Sequence, residues 1–461
     1  MAKDNLWILT EERPKESVIQ SLLEILKKDF DIKCKYKNIK ICPIIKNSIF
    51  QFTYIINGIK SKSFKKVYLK IVSGSSSFID YLICLQDKEP IDGDCSNIIM
   101  AVEETKTSDK ESRNTGVSQR ASKFIYAKQY CPDTKLYMLY NEELENNEDK
   151  KPSDTNIFGT NILLTLGVKI IGKTNMSWFK PFTTIDELIE FKNSMREPPE
   201  SNIPIKITKT KDLIEVSGRL EKPKGAGNIA HDPSIGSLSM ICGALRKLGW
   251  TQDIVITRHG TKQEYVDKNK DNKFLYLCKL LNLKMKDLTI TYPANYHEKY
   301  WHYEKLSEKV ASILLHIMCT NIGIRYIYEN HAGCERGYFK TANNELITLP
   351  KKDRNGENLL IPDVVLADMK YKNIYLIEGK KLSTINNGLK EIEDYDSIED
   401  EYIKPEYPNF NYLRYLSIYG GTKEELPDRK IMLYLNQLGQ IIINKDLPKS
   451  ILNRFKKIRK G

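Results

Sequence analysis

Long apolar runs are missing from this chain. No segment approaches the ~20 consecutive apolar residues that a membrane-spanning helix needs, so no membrane partner is expected. The opening stretch MAKDNLWILTEERPKES has no basic segment leading into an apolar core, so a secretory signal is not expected either. The nine cysteines are scattered from Cys34 to Cys334 without a CxxC pair, and the six histidines are equally dispersed. That pattern argues against a zinc site and a disulfide framework, and for a reducing cytoplasm. No short-period repeat runs through the sequence.

What is present is length and positive charge. The 461 residues suffice for two or three domains. Hydrophobic residues make up 41% and charged residues 29%, the balance of a globular protein with real cores. Net charge is +12, which favours a polyanionic partner, nucleic acid or an anionic surface. Alone, a solvated lysine-rich surface explains that excess equally well.

Apolar spacing predicts a helix over Ser17–Phe30, then strands in FQFTYIING, KKVYLKIVSG, FIDYLICLQ and NIIMAVEETKT. Helix GVSQRASKFIYAKQY and strand TKLYMLY follow. This alternation predicts an α/β fold. Pro- and Gly-rich sequence between Arg196 and Gly236 marks a linker or boundary. A helix in SLSMICGALRKLGW, a strand in DIVIT and a helix in NKFLYLCKLLNL come next. A helix is expected within His297–Thr320, with a buried stripe of Leu306, Val310, Ile313, Leu314 and Ile317, and strand RKIMLYLNQLGQIIIN closes the chain. The expected division is 1–200, a middle recognition or linker region 201–290, and 291–461.

IPDVVLADMKYKNIYLIEGKK carries the chemistry. Side chains alternate along a strand, so Ile374, Leu376, Glu378 and Lys380 share one face. A paired strand brings Asp363 beside Glu378. Two carboxylates at a strand end offer hard oxygen ligands for Mg2+. A metal there polarises a scissile phosphate and generates hydroxide from water. A neighbouring lysine orients that water or stabilises charge on the transition state. Glu304 and Glu308, four apart on the preceding helix, could add a carboxylate. The rival reading is a charged structural hairpin. Decoys exist: Glu190-Phe191-Lys192 has the same ExK spacing on a helical segment, and Pro427-Asp428 has no ExK strand behind it.

Pro362-Asp363 followed by Glu378-Gly379-Lys380 resembles the PD-(D/E)xK nuclease motif. The resemblance implies a mixed sheet flanked by helices and Mg2+-dependent phosphodiester cleavage. It implies that Asp363 and Glu378 bind metal, that Lys380 acts at the water, and that Glu304 stands as an auxiliary metal ligand.

Ser73–Thr107 repeats the question. Asp80 lies in an apolar run, and Met100, Val102, Glu104 and Lys106 share a strand face, with Glu103 and Thr105 pointing away. Asp80, Glu104 and Lys106 then reproduce the pattern as catalytic residues, with Asp80 and Glu104 on the metal. Ile79 stands where the motif has proline, and Glu24 of the preceding helix is a candidate further acid. Arg113, Gln119, Arg120 and Lys123 follow and could hold phosphates, or form an ordinary solvated helix face. In the middle region Arg258, Lys262 and Gln263 are of types that read base edges. A catalytic His231, Asp232 and His259 set is disfavoured, because no ligand spacing is present.

Together the two regions resemble a type II restriction endonuclease with two PD-(D/E)xK domains in one chain. The resemblance covers about Ser17–Tyr140 and His297–Asn444. It implies that each site cuts one strand of double-stranded DNA, that a monomer suffices, and that a cognate methyltransferase protects host DNA. Two other readings stay open: a nicking or dimeric enzyme with one live site, and a non-catalytic DNA-binding protein on a nuclease-like fold.

Overall fold

The structure, a computed structural model, describes residues 4–74, 78–105, 116–140, 152–173, 176–196, 205–218, 232–268, 273–291, 299–304, 308–329 and 338–459. The fold is mixed α/β, with several mixed sheets flanked by helices. The chain divides into two compact units. One comprises Met1–Val72, Gln86–Glu89 and Tyr303–Gly461, and the other Ser73–Leu85 and Pro90–His302. Residues 201–290 therefore fold in the same unit as 90–200.

In the first unit, strand Asn5–Thr10 pairs parallel with Val67–Gly74, which joins the long antiparallel pair Ile49–Ser61 and Cys34–Lys46. Helix Glu16–Phe30 forms as its apolar spacing requires and buries Val18, Ile19, Leu22, Leu23, Ile25 and Leu26. A second sheet has six strands in the order Arg325–Glu329, Val364–Asp368, Asn373–Lys381, Asn411–Tyr419, Ile431–Leu435 and Ile441–Ile443. Its first three strands pair antiparallel, the central ones run parallel, and the last turns back. The parallel central strands read as nearly continuous apolar runs because both faces are covered.

The helix expected to begin near His297 spans Glu308–Asn321. Trp301–Tyr303 is a short strand instead, in keeping with its aromatic content. The helix packs on the six-stranded sheet and on strand Cys34–Lys46. Contact on two sides explains why Val310 through Cys319 are all buried, rather than a single stripe. Leu306 lies outside the described residues.

The expected last strand is a hairpin, Ile431–Leu435 and Ile441–Ile443, and helix Lys449–Arg459 follows it. Arg454 on that helix ion-pairs with the buried carboxylate of Asp368 and donates to the carbonyls of Ile322 and Ser450. Arg454→Ala strips that carboxylate of its counter-ion. Urea denaturation is expected to show a loss of about 3–5 kcal/mol, and an unchanged midpoint would contradict this role.

In the second unit the strands run in the order Tyr81–Gln86, Ile98–Thr105, Lys135–Tyr140 and Lys169–Ile171. The first pair is antiparallel and the rest are parallel. Helix Gly116–Tyr130 connects the second strand to the third and packs on helices Asp154–Thr165 and Asp232–Lys247. A separate four-stranded sheet holds Leu283–Met285, Asp253–Thr257, Leu213–Ser217 and Ile207–Lys209. Both units thus contain an antiparallel hairpin whose second strand leads through helical segments to a parallel neighbour.

Candidate active sites

The hairpin Val364–Asp368 and Asn373–Lys381 sets the first site. Val364 pairs with Ile377, so Asp363, one residue before the strand, meets Glu378. The Asp363 N–H donates to Glu378 Oε2 at 3.3 Å, and Asp363 Oδ2 accepts the Gly379 N–H at 2.9 Å. Glu378 Oε2 also accepts from the Tyr395 hydroxyl at 2.6 Å. Lys380 Nζ stands 2.6 Å from Glu378 Oε1 and 2.6 Å from Glu391 Oε2. The structure therefore brings Asp363, Glu378 and Lys380 together, as alternation along the strand requires.

Glycine is needed between Glu378 and Lys380. A Cβ on Gly379 would fall 2.3 Å from Ser312 Oγ and 3.0 Å from Asp363 Oδ2. The bare backbone lets helix Glu308–Asn321 and the aspartate close on the strand together. The same construction puts Glu308 Cβ 3.6 Å from that point, so Glu308 in the first helical turn stands beside the pair. Glu304 precedes the helix, and its N–H donates to the Ile71 carbonyl at 3.2 Å. Glu308 is carried toward the carboxylates by the helix, whereas Glu304 lies outside it and its charge acts at Tyr419, the residue paired with Lys381.

The site is electrostatically tense. Burial, and then the neighbouring Asp363 charge, push the Glu378 carboxyl up to about 7, against the hydrogen bonds from Lys380 and Tyr395. For Lys380, burial alone would favour the neutral amine, but the bonds to Glu378 and Glu391 prevail and hold it charged. Among the described residues no group of three or more His, Cys, Asp or Glu converges as a metal cage. An ion here would rest on Asp363 and Glu378, with backbone and water completing its shell.

The second site repeats the first, one residue out of the expected register. Tyr81 pairs with Val102, so Asp80 meets Glu103. The Asp80 N–H donates to Glu103 Oε2 at 3.3 Å, and Asp80 Oδ2 accepts the Glu104 N–H at 2.7 Å. These are the two bonds made at Asp363, Glu378 and Gly379. Glu103 therefore occupies the place of Glu378, Glu104 that of Gly379, and Thr105 that of Lys380. Glu104, expected in the pair, instead accepts from the Tyr81 hydroxyl at 2.9 Å. Alternation separates Glu103 from Glu104, but strand pairing sets which face meets Asp80. Comparing Val102-Glu103-Glu104-Thr105 with Ile377-Glu378-Gly379-Lys380 was the available signal. No lysine stands two residues beyond Glu103, where Thr105 is found. Lys106 lies outside the described residues.

Lys123 and Arg120, expected at phosphates, face the carboxylates. Lys123 Nζ is 2.6 Å from Glu103 Oε1 and 3.3 Å from Asp80 Oδ1, and Arg120 Nε is 4.0 Å from Glu103 Oε1. Burial and the Asp80 charge push Glu103 up to about 8, while the two cations pull against them. Arg113 and the side chain of Gln119 lie outside the described residues. Glu24 belongs to the other unit, where it pairs with Lys27 at 2.7 Å and accepts from the Tyr36 hydroxyl.

In the middle region Arg258 and Lys262 are exposed, and Arg258 follows strand Asp253–Thr257 in a left-handed conformation, φ 53°. The Gln263 amide is occupied locally, donating to the Thr289 carbonyl at 2.9 Å and accepting its N–H at 2.9 Å. That use holds two segments together and does not leave the amide open to base edges. Buried His259 accepts the Thr261 N–H on Nδ1 and contacts the Lys286 carbonyl through Nε2, which makes it a turn-holding residue. His231 and the side chain of Asp232 lie outside the described residues.

No family model matches the chain, and no curated protein matches it. Among solved structures, a 2,6-sialyltransferase from Photobacterium sp. JT-ISH-224 aligns at 10% identity with a TM-score of 0.11, over 61% of this chain and 49% of that one. A superposition at that level carries no argument about fold or function.

Proposed function

We propose that this protein is a Mg2+-dependent endonuclease that hydrolyses phosphodiester bonds of double-stranded DNA, with two PD-(D/E)xK-like sites that each cut one strand. The observation that carries this reading is the repeated bonding pattern. Aspartate at the mouth of a hairpin binds the backbone N–H after a buried glutamate, and its own N–H binds that glutamate, once at Asp363 and once at Asp80. A hairpin kept only for structure has no need to set an aspartate against a buried glutamate, and still less to do so twice.

The donor set suits a hard divalent cation. Asp363 and Glu378 are all-oxygen ligands; burial first, and then the Asp363 charge, push the Glu378 carboxyl up to about 7, and a cation between the two would offset that cost. When bound, Mg2+ supplies charge at the phosphate and an acidified water. The chain's own groups do the rest. Tyr395 holds the Glu378 carboxylate in place. Lys380 is kept protonated between Glu378 and Glu391, ready to balance charge that develops on the phosphate oxygens. The basic net charge of +12 favours a polyanionic substrate. A second reading, with the Asp80 site inert, draws on the ammonium of Lys123, which already bridges Asp80 and Glu103.

Digesting a complex DNA with Mg2+ and sequencing the ends tests the proposal. Recurrent sequence at the ends is expected, with DNA binding but no cutting when Ca2+ replaces Mg2+. Intact DNA across many substrates in Mg2+ would reject it.

A further inference from the structure

The two sites obtain their amines differently. In one, Lys380 lies two residues beyond Glu378 on the same strand. In the other, the equivalent strand position holds Thr105, which is buried. The amine there arrives from a different element, helix Gly116–Tyr130, as Lys123. Both amines stand 2.6 Å from one glutamate oxygen, while the other oxygen accepts the aspartate N–H.

Resting on the nuclease reading above, we propose that Lys123 is the active-site amine of the Asp80–Glu103 site and does there what Lys380 does beside Asp363 and Glu378. Lysine's long stem makes this exchange feasible, since the ammonium can reach one point in space from either of two backbone positions. Arg120, one turn earlier on the same helix, adds a second positive charge at 4.0 Å from Glu103. Neither Glu104 nor Lys106 then has a part in the chemistry. Lys123 also ties the helix to the strand, so removing it leaves two facing carboxylates without their nearest counter-ion.

The test uses the full chain on supercoiled DNA containing one target, with Mg2+. Lys123→Ala is expected to lose cutting of the strand that Asp80→Ala loses, by a hundredfold or more, and to keep the other cut. Glu104→Gln is expected to cut both strands as wild type does. The double variant Lys123→Ala/Thr105→Lys returns the amine from the strand and is expected to recover at least a tenth of the lost rate. DNA binding in Ca2+, read by fluorescence anisotropy, should stay within threefold of wild type for the double variant. This separates a lost reaction from a lost fold. If Asp80→Ala loses one cut and Lys123→Ala does not, the inference about Lys123 is overturned while the nuclease reading survives. If the double variant binds DNA normally yet recovers nothing, Lys123 is an internal counter-ion and the inference is likewise overturned. If Asp80→Ala itself keeps both cuts, the two-site reading fails as well.

Discussion

Asp363→Ala is expected to convert a double-strand cutter into a nicking enzyme. Supercoiled DNA should accumulate as open circles, and linear product should fall by a hundredfold or more, roughly the 3 kcal/mol that one ligand of a catalytic cation supplies. The physical ground is that Asp363 does two things at once. Its Oδ2 fixes the Gly379 N–H at 2.9 Å, and its charge faces Glu378. Alanine removes both, so the loss should exceed that of Asp363→Asn, which keeps an acceptor oxygen for Gly379. Glu378→Gln should resemble the alanine variant in rate. It should not resemble it in stability, because a neutral side chain is better tolerated in that buried place. Equal linear product from Asp363→Ala and wild type would show that the Asp363 site is not catalytic.

A divalent cation should bind more tightly as pH rises from 6 to 8. Glu378 titrates near 7 in the fold against 4.5 in an ordinary chain, chiefly because it is buried and next because it faces Asp363. Below 7 the cation must displace a proton, so affinity should fall by up to tenfold per pH unit. Glu103, pushed up to about 8 by burial and Asp80, adds the same trend at slightly higher pH. The metal-free protein should show the opposite dependence in stability. Between about 4.5 and 7 the folded chain retains a proton on Glu378 that the unfolded chain has lost. Stability therefore falls as pH rises across that window, by up to about 3 kcal/mol, and levels off above it for this group. Glu378→Gln should remove this part of the slope. Calorimetry with Ca2+, which supports binding without turnover, and urea denaturation without divalent ions measure the two halves. Calcium affinity independent of pH in wild type would contradict the assignment of Glu378 as a ligand.

Asp363, Glu378 and Lys380 were legible in the sequence because all three sit on one short hairpin whose strands are uninterrupted apolar runs up to the site. Gly379 was visible as a letter but not as a necessity. Its reason lies in Ser312, more than sixty residues earlier in the chain. At the other site Asp80 was legible and its partner was not. Adjacent glutamates point to opposite faces of a strand, and only pairing with Tyr81–Gln86 decides which one meets Asp80. That Lys123 meets Glu103 is not legible in the sequence, since the packing of a helix against a strand is tertiary information. Helix Lys449–Arg459 was missed for a different reason. Five of the eleven residues of KSILNRFKKIR are basic, and Ile451 and Phe455 are its fully buried apolar anchors among the described residues. The interleaving of the two units, with residues 1–72 joined to 303–461, depends on long-range contacts that composition does not report.

The central claim is that the two sites divide the two strands between them. Mapping every nick that Asp80→Ala and Asp363→Ala leave on one defined duplex tests it most directly, by sequencing both strands of the products. The account predicts that each variant retains one cut, at the wild-type position, and that the two retained cuts lie on opposite strands. Two variants that spare the same strand, or either variant cutting both strands at the wild-type rate, would contradict it.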